Sequence, residues 1–385
     1  MFQAFVLSLL LLASGLIFPN FERKAEEVIL SFDFAAVLLH FMLSFLLFAG
    51  ALHVDLDKLK EEKWPILILA TFGVVASTVV VGYLSYYSLQ FLGYNIDLIA
   101  CMLFGALISP TDPIAVLSIL KQTQMSKNLE IKIAGESLFN DGVGVVVFLT
   151  VLAILQTGVE NVTVASVSLL FLQEVAGGLL LGFLGGWACI KILSLISNEK
   201  QELEILFSVA MVLGLYRLGE VFEVSGPIAT VVMGIYVGHI GHKRSYMGEH
   251  FYIFWDLIDS TLNAILFILI GFEILIINFE VNYLYAGAIA TAIVLLARMV
   301  SVALPINLMS MRREFAKNTI LILVWGGLRG GLSVALALSL PAKELSSHKD
   351  LLVSMTYFVV IFSILVQGLT IQYLLDKSPS SSIEQ

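Results

Sequence analysis

"LISPTDPIAVL" (residues 107–117) sets Pro110 and Pro113 on either side of Thr111–Asp112, inside a run otherwise apolar enough for a lipid bilayer. Each proline withdraws a helical hydrogen bond and crowds the turn before it. One proline in a membrane helix is usually only a kink. Two around Thr-Asp at membrane depth predict a helix that breaks and restarts. Unwound backbone in a bilayer must be buried in protein or line a water-filled space. The stretch therefore points to a bundle packed around an internal cavity.

The rest of the chain fits that reading. Of its 385 residues 59% are apolar and 13% charged, with a mean hydropathy of +0.95; soluble domains carry about 25% charged residues. Apolar runs recur along the whole length, most of them long enough to cross about 30 Å of hydrocarbon as a helix. Twelve spans are expected, at 2–19, 34–52, 65–91, 98–120, 131–156, 166–195, 203–219, 225–240, 251–275, 282–309, 316–340 and 350–375. No loop is long enough to fold separately, so residues 1–385 read as a single all-α polytopic membrane domain. The first span lacks a basic leader and a cleavage site and reads as a retained helix; "NFERKAEEVILSFD" (20–33) after it reads as a solvated loop. Cys101 and Cys189 lie in apolar runs and imply no disulfide framework. A net charge of −9 argues against a nucleic-acid partner.

Basic residues order the loops. One alternate set holds Lys58, Lys60, Lys63, Lys121, Lys127, Lys132, Lys191, Lys200, Lys243, Arg244, Arg312, Arg313, Lys317 and Lys377, fourteen in all. The other holds five, Arg23, Lys24, Arg217, Lys343 and Lys349. The positive-inside rule puts the first set, and with it both termini, in the cytoplasm. Arg298 and Arg329 remain, inside spans.

A second weak helix lies at "WGGLRGGLSVAL" (325–336), where four glycines surround Arg329. Shifting 98–157 by 218 residues lays it on 316–375 and Asp112 on Gly330. Each copy then holds a broken helix, a charged loop and a continuous helix. An odd number of spans between their starts makes the repeat inverted, with the two discontinuous helices in corresponding places. That pattern marks the binding site of many secondary transporters.

Among the charges within spans, Asp112, Glu136, Asp141, Arg298 and Arg329 gather on the two broken helices, the 134–148 run and the helix of Arg298. A charge at the bilayer centre costs about 2.5–3.5 kcal/mol on insertion scales, so each needs a partner or a hydrated site. Three acids against two arginines leave one acid over. In "AGESLFNDGVGVVVF" (134–148), Glu136 and Asp141 point about 140° apart on a helix. Glu136 shares a face with Asn140, and Ser137 shares one with Asp141. One face can pair a carboxylate with an arginine; the other offers a carboxylate and a hydroxyl. Carboxylate, hydroxyl, carbonyl and water oxygens suit a small hard cation, and unwound backbone at Thr111–Asp112 could add a carbonyl. A carboxylate removed from water also holds a proton more readily, so protons would compete with the cation.

Together "GESLFNDGVGVVVF", "ISPTDPIAV", "FLLFAGALHVDL", "FWDLIDSTLNAILFILIGFEI" and "WGGLRGGLSVALALSLP" resemble the bacterial NhaP-type sodium/proton antiporters, relatives of the animal NHE exchangers, from about residue 30 to 375. The resemblance implies that Asp141 carries either cation or proton, with Asp112, Thr111 and Ser137 completing the site and Asn140 supporting it. It implies that Glu136 pairs with Arg298, and that Arg329 offsets the end charges where the broken helices cross. Members with Asn before the Asp generally exchange one cation per proton. The family usually has thirteen helices; the one missing here is the first, which contributes to its dimer contact, and a homodimer is still expected. Many relatives carry a carboxylate where this chain has Ala49; Asp55 reads as a solvated loop acid, with an ion-entry residue as the alternative.

His239 and His242 in "GHIGH" read as loop histidines rather than a metal pair, since no third ligand is near. Asp256 and Asp259 lack the second motif that a diphosphate site needs. "NVT" (161–163) fits a glycosylation signal that matters only in a eukaryotic secretory route. No Walker or hydrolase motif is present, so neither an ATP-driven pump nor an enzyme is expected, and no cofactor. The leading expectation is exchange of a monovalent cation, first Na+, for H+ by alternating access in a bacterial inner membrane. A K+/H+ antiporter, a cation channel and a proton-coupled carrier of an organic substrate are the alternatives.

Overall fold

The computed structural model describes residues 34–113, 116–117, 127–158, 162–196, 201–244, 247–276, 281–313, 315, 318–345 and 348–376. The first expected span, Arg23, Lys24, Lys121, Lys200, Lys317, Lys377 and Asn161 lie outside the described residues, as does the segment 20–33.

Among the described residues the chain is helical. Helix α1 (34–52) contains a wider π turn at Leu38–Met42; the short α2 is Leu56–Glu61 and α3 is Lys63–Phe91. Then α4 is Leu98–Ile108, α5 Lys127–Thr157, α6 Val164–Ile196, α7 Gln201–Val221, α8 Gly226–Arg244, α9 Glu249–Ile276 and α10 Val281–Ser310. After them come α11 Thr319–Trp325, α12 Gly331–Leu338, the single turn α13 Ala342–Leu345, and α14 (349–376) with a second π turn at Ser363–Gln367. Six of these are long and apolar enough to cross a bilayer on their own: α3, α5, α6, α9, α10 and α14. Two of the expected spans do break. After α4 the chain unwinds through Ser109–Pro113 and is helical again at Val116–Leu117, and α11 and α12 are separated by 326–330.

Two packed groups surround α5. In one, α3, α4, α10, α12 and α14 bury Val81, Phe104, Ala297, Leu336 and Tyr357 together. In the other, α1 and α6–α9 close around Trp255, which stacks on Phe45 at 5.6 Å, meets Phe48 edge-on at 4.6 Å and donates its Nε1–H to Ser208 at 3.2 Å. The faces left outside suit lipid. Leu172, Leu180 and Leu184 of α6 and Leu304 and Leu308 of α10 are all exposed. Gly178 and Gly182 of α6, a small-xxx-small pair, let the α8 backbone approach closely: a Cβ on Gly178 would stand 2.8 Å from the Ser225 carbonyl, and one on Gly182 2.9 Å from Ala229 Cα. Helix α5 joins the groups, with Val143, Val147 and Phe148 in the first and Gly142 against Ile228 of α8.

Several basic positions meet at one end. Glu62 accepts from Arg313 at 2.5 Å and lies 3.4 Å from Lys132, and Lys243 reaches Asp57 at 3.1 Å. Lys132, read from sequence as a loop-edge residue, is instead buried in the first turns of α5, because Glu62 is there to receive it. At the other end His40 and Arg217 converge on Glu220. Asp55 is more than a solvated acid: it caps α2, accepting from the N–H groups of Asp57 at 3.0 Å and Lys58 at 3.3 Å. His242 Nδ1 lies 3.1 Å from the Gly238 carbonyl and its ring meets Tyr252, while Asp256 pairs with His53 at 2.8 Å. No cluster of three or more metal-type side chains occurs among the described residues.

Candidate ion site

The two breaks cross. The Asp112 N–H donates to the Leu328 carbonyl at 2.8 Å, an isolated antiparallel bridge between one unwound stretch and the other. Glycine is needed at the contact: a Cβ on Gly330 would stand 2.8 Å from Asp112 Cβ. On the opposite side, a Cβ on Gly144 of α5 would run into the Pro110 ring. The first break is thus held between Gly330 and α5.

Helix α5 supplies the polar grip. Ser137 donates its hydroxyl to the Thr111 carbonyl. Asn140 Nδ2 donates to Thr111 Oγ1 at 2.7 Å, and its Oδ1 accepts the Thr111 N–H at 3.3 Å. The backbone groups that Pro110 and Pro113 strip from the helix are thereby partly satisfied by side chains. Here the sequence reading needs correcting. Asn140 does not share a face with Glu136 in use; it works with Ser137, three residues away, and both turn to Thr111. The two-face division from helix angles alone missed this because residues three apart are also neighbours on a helix.

Glu136 faces the other way. Its Oε1 is 2.5 Å from Arg298 Nη1, and both side chains are buried. Arg298 also donates Nε at 3.2 Å and Nη2 at 3.0 Å to the Leu323 carbonyl in the last turn of α11. Its guanidinium lies so close to Gly327 that a Cβ there would be 3.0 Å from Cζ. Arg329, only 2% exposed, donates Nη1 to the carbonyls of Ser109 and of Pro110, the latter at 2.9 Å, just beyond the end of α4. Both intramembrane arginines therefore cap the negative end of a half-helix. Of these two arginines, Arg298 alone pairs with an acid among the described residues.

Asp141 lies one turn beyond Ser137, on the side of α5 that meets the break. No lysine or arginine reaches it among the described residues, and Asp112 is its electrostatic neighbour. Accessibility separates the groups. Thr111, Glu136, Ser137, Asn140, Arg298 and Arg329 are buried, whereas Asp112 and Asp141 are both partly accessible. Asp112 and Asp141, close enough to interact and both partly accessible, and the oxygens of Thr111 and Ser137 are the kind of donors that a small cation or a proton takes.

The groups that hold the second break carry no mark in the sequence. Ser363 accepts the Arg329 N–H at 3.1 Å and donates to Gln367 Oε1, and Gln367 Nε2 donates to the Trp325 carbonyl at 3.1 Å. Both sit in the π turn of α14, and no charge marks them.

Comparison with known proteins bears on this arrangement. The family model described as "Sodium/hydrogen exchanger, transmembrane" matches residues 5–377. The Na(+)/H(+) antiporter NhaP of Pseudomonas aeruginosa is 46% identical over 365 residues, 93% of this chain and 85% of that protein. The Na(+)/H(+) antiporter NhaH of Halobacillus aidingensis is 34% identical over 373 residues, 95% of this chain and 89% of that one. The solved structure of the sodium proton antiporter MjNhaP1 from Methanocaldococcus jannaschii at pH 8 superposes with a TM-score of 0.74 at 18% identity, over 98% of this chain and 97% of that chain, and so shares its fold. This chain is a multi-pass membrane protein of the sodium/hydrogen exchanger family.

Proposed function

We infer that the protein exchanges sodium ions for protons across the membrane, and that Asp141 carries each in turn. One observation carries the assignment of the residue. Glu136 is neutralised by Arg298 and the arginines are spent on carbonyls, while Asp141 stands partly accessible beside Asp112 with no basic partner among the described residues. In this reading Asp112, Thr111 and Ser137 complete the oxygen set and Asn140 fixes Thr111. Glu136, Arg298 and Arg329 hold the half-helices. Cation and proton compete for the same carboxylate, because a carboxylate out of bulk water is stable only when cation-bound or protonated. A single such carboxylate in the Asn140–Asp141 pair favours electroneutral exchange, one sodium per proton. Alternating access would move the crossed half-helices, paired as the inverted repeat 98–157 and 316–375, against the group built on α1 and α6–α9. The relatives support a bacterial cell membrane, and the basic loops support cytoplasmic termini; a homodimer remains part of the proposal.

The test is collapse of an imposed pH gradient in everted membrane vesicles, with Na+, Li+ and K+ added in turn. Sodium should dissipate the gradient in wild type and leave it intact in Asp141→Asn. Exchange that ignores a clamped membrane potential would mark the one-for-one stoichiometry. Equal activity of the two proteins would remove Asp141 from the carrier role.

A further inference from the structure

Unwound backbone inside a membrane protein needs partners for the N–H and C=O groups that the helix no longer satisfies. At the first break those partners come from α5, and at the second from the Ser363–Gln367 turn of α14. Ser363 is 1% exposed and Gln367 is 3% exposed. The turn is a π turn, closed by the Gly368 N–H on the Ser363 carbonyl. Such turns inside α-helices are frequent at functional sites. Here the turn places a hydroxyl and an amide against 325–329: Ser363 takes the Arg329 N–H, Gln367 gives to the Trp325 carbonyl, and each holds the other.

The segment so held is the one that touches the candidate ion site. Leu328 accepts the Asp112 N–H, Arg329 holds the Ser109 and Pro110 carbonyls, and Gly330 lies against Asp112. The side-chain bonds of Ser363 and Gln367 go to the Arg329 N–H, to the Trp325 carbonyl and to each other. Their effect must pass through the backbone of 325–330.

We propose that Ser363 and Gln367 are positioning residues for cation binding: they fix the 325–330 backbone, and through it the place of Asp112 relative to Asp141. This rests on the exchange function proposed above. A cation site assembled from two separately held carboxylates is sensitive to their spacing, so loosening one wall lowers cation affinity before it lowers turnover. Losing the Gln367 donor leaves the Trp325 carbonyl unsatisfied, a cost that converts to about a tenfold change in an equilibrium.

Two measurements test it on the full-length protein. The first is backbone amide hydrogen exchange of the purified wild type, Ser363→Ala, Ser363→Thr and Gln367→Met, which needs no transport. Gln367→Met keeps the side-chain volume, so it also serves if a smaller residue prevents folding. Faster exchange in peptides covering 325–330 and 109–113 is expected for Ser363→Ala and Gln367→Met, with Ser363→Thr restoring the wild-type rate. The second is the sodium concentration for half-maximal exchange in vesicles. It should rise about three- to tenfold in Ser363→Ala and Gln367→Met, with maximal rates within about twofold and an altered Na+/Li+ preference. Unchanged amide exchange at 109–113 would overturn the proposal even if no cation were transported. A fall in maximal rate alone, at constant sodium affinity and cation preference, would reduce the pair to a structural role. A wild type inactive with every cation would instead remove the exchange function, and the clamp's place in cation binding with it.

Discussion

The two breaks in the membrane helices solve the same backbone problem and differ in what they present. At 109–113 the end of α4 is capped by Arg329, and the unwound chain is held by Ser137 and Asn140 of the continuous helix that follows. At 325–330 the end of α11 is capped by Arg298, and the chain is held by Ser363 and Gln367, again from the continuous helix that follows. Cap and grip are therefore matched. Cargo groups are not. The first break carries Asp112, which faces Asp141, whereas the second carries glycine at the point of contact. One break thus reads as the site and the other as the wall it is built against. A glycine wall lets two backbones approach closely.

The widest separation between the breaks should come from Asp141→Asn. It acts on the first alone, and exchange should fall to the level of empty vesicles while the protein inserts and unfolds at the wild-type temperature. Residual sodium-driven proton movement above that background would break the assignment. Next is Glu136→Gln, which acts on the second break by leaving the Arg298 guanidinium without its carboxylate. Removing one partner of a buried ion pair costs about 3–5 kcal/mol. A large drop in thermal stability is expected in detergent, with exchange per folded molecule close to wild type. A smaller effect is expected from Gly330→Ala at the crossing itself. A methyl there would press on Asp112, so sodium affinity should fall several-fold, whereas Gly214→Ala, which meets nothing within 4 Å, should be silent. Equal effects from the two would mean that the crossing does not constrain the site.

Smallest of all is a change remote from both breaks. The Lys243 ammonium, hydrogen-bonded to Asp57, holds that carboxyl below the usual carboxylate range. A depressed folded value contributes stability above the unfolded pKa and loses it as pH falls through the folded one. Asp57→Asn should therefore lower the unfolding temperature slightly at pH 7, by an amount that shrinks as pH falls below the ordinary aspartate value.

Much of this architecture was legible in the chain. The spans read from apolar runs coincide with the helices to within a few residues wherever the structure describes them, because in a bilayer only a helix satisfies its own backbone. Pro110 and Pro113 announced the first break, and the glycines around Arg329 announced the second. Glu136 and Asp141 were separable by helix angle. Helix angles set Asn140 beside Glu136 and only the family resemblance tied it to the site, since angles locate a side chain but not the group it turns to. Ser363 and Gln367 passed unnoticed: a serine and a glutamine near a helix end are common, and only the opposite break gives them a task.

The sequence by itself determined where the chain crosses the membrane, where it cannot stay helical, and that Asp112, Glu136, Asp141, Arg298 and Arg329 had to be accommodated there. Periodicity, proline and the cost of a charge in hydrocarbon are local properties that composition carries. Residue counting left the partners open, the family resemblance implied Glu136–Arg298 and Arg329 at the crossing, and the tertiary structure showed which carbonyls the arginines hold. Counting acids against arginines suggested two ion pairs, yet one arginine spends itself on the carbonyls of Ser109 and Pro110 and the other divides itself between Glu136 and Leu323. Orphaned carbonyls at a helix end attract a cation as a carboxylate does. Every residue has a carbonyl, and only the folded chain shows which ones are left without a helical partner.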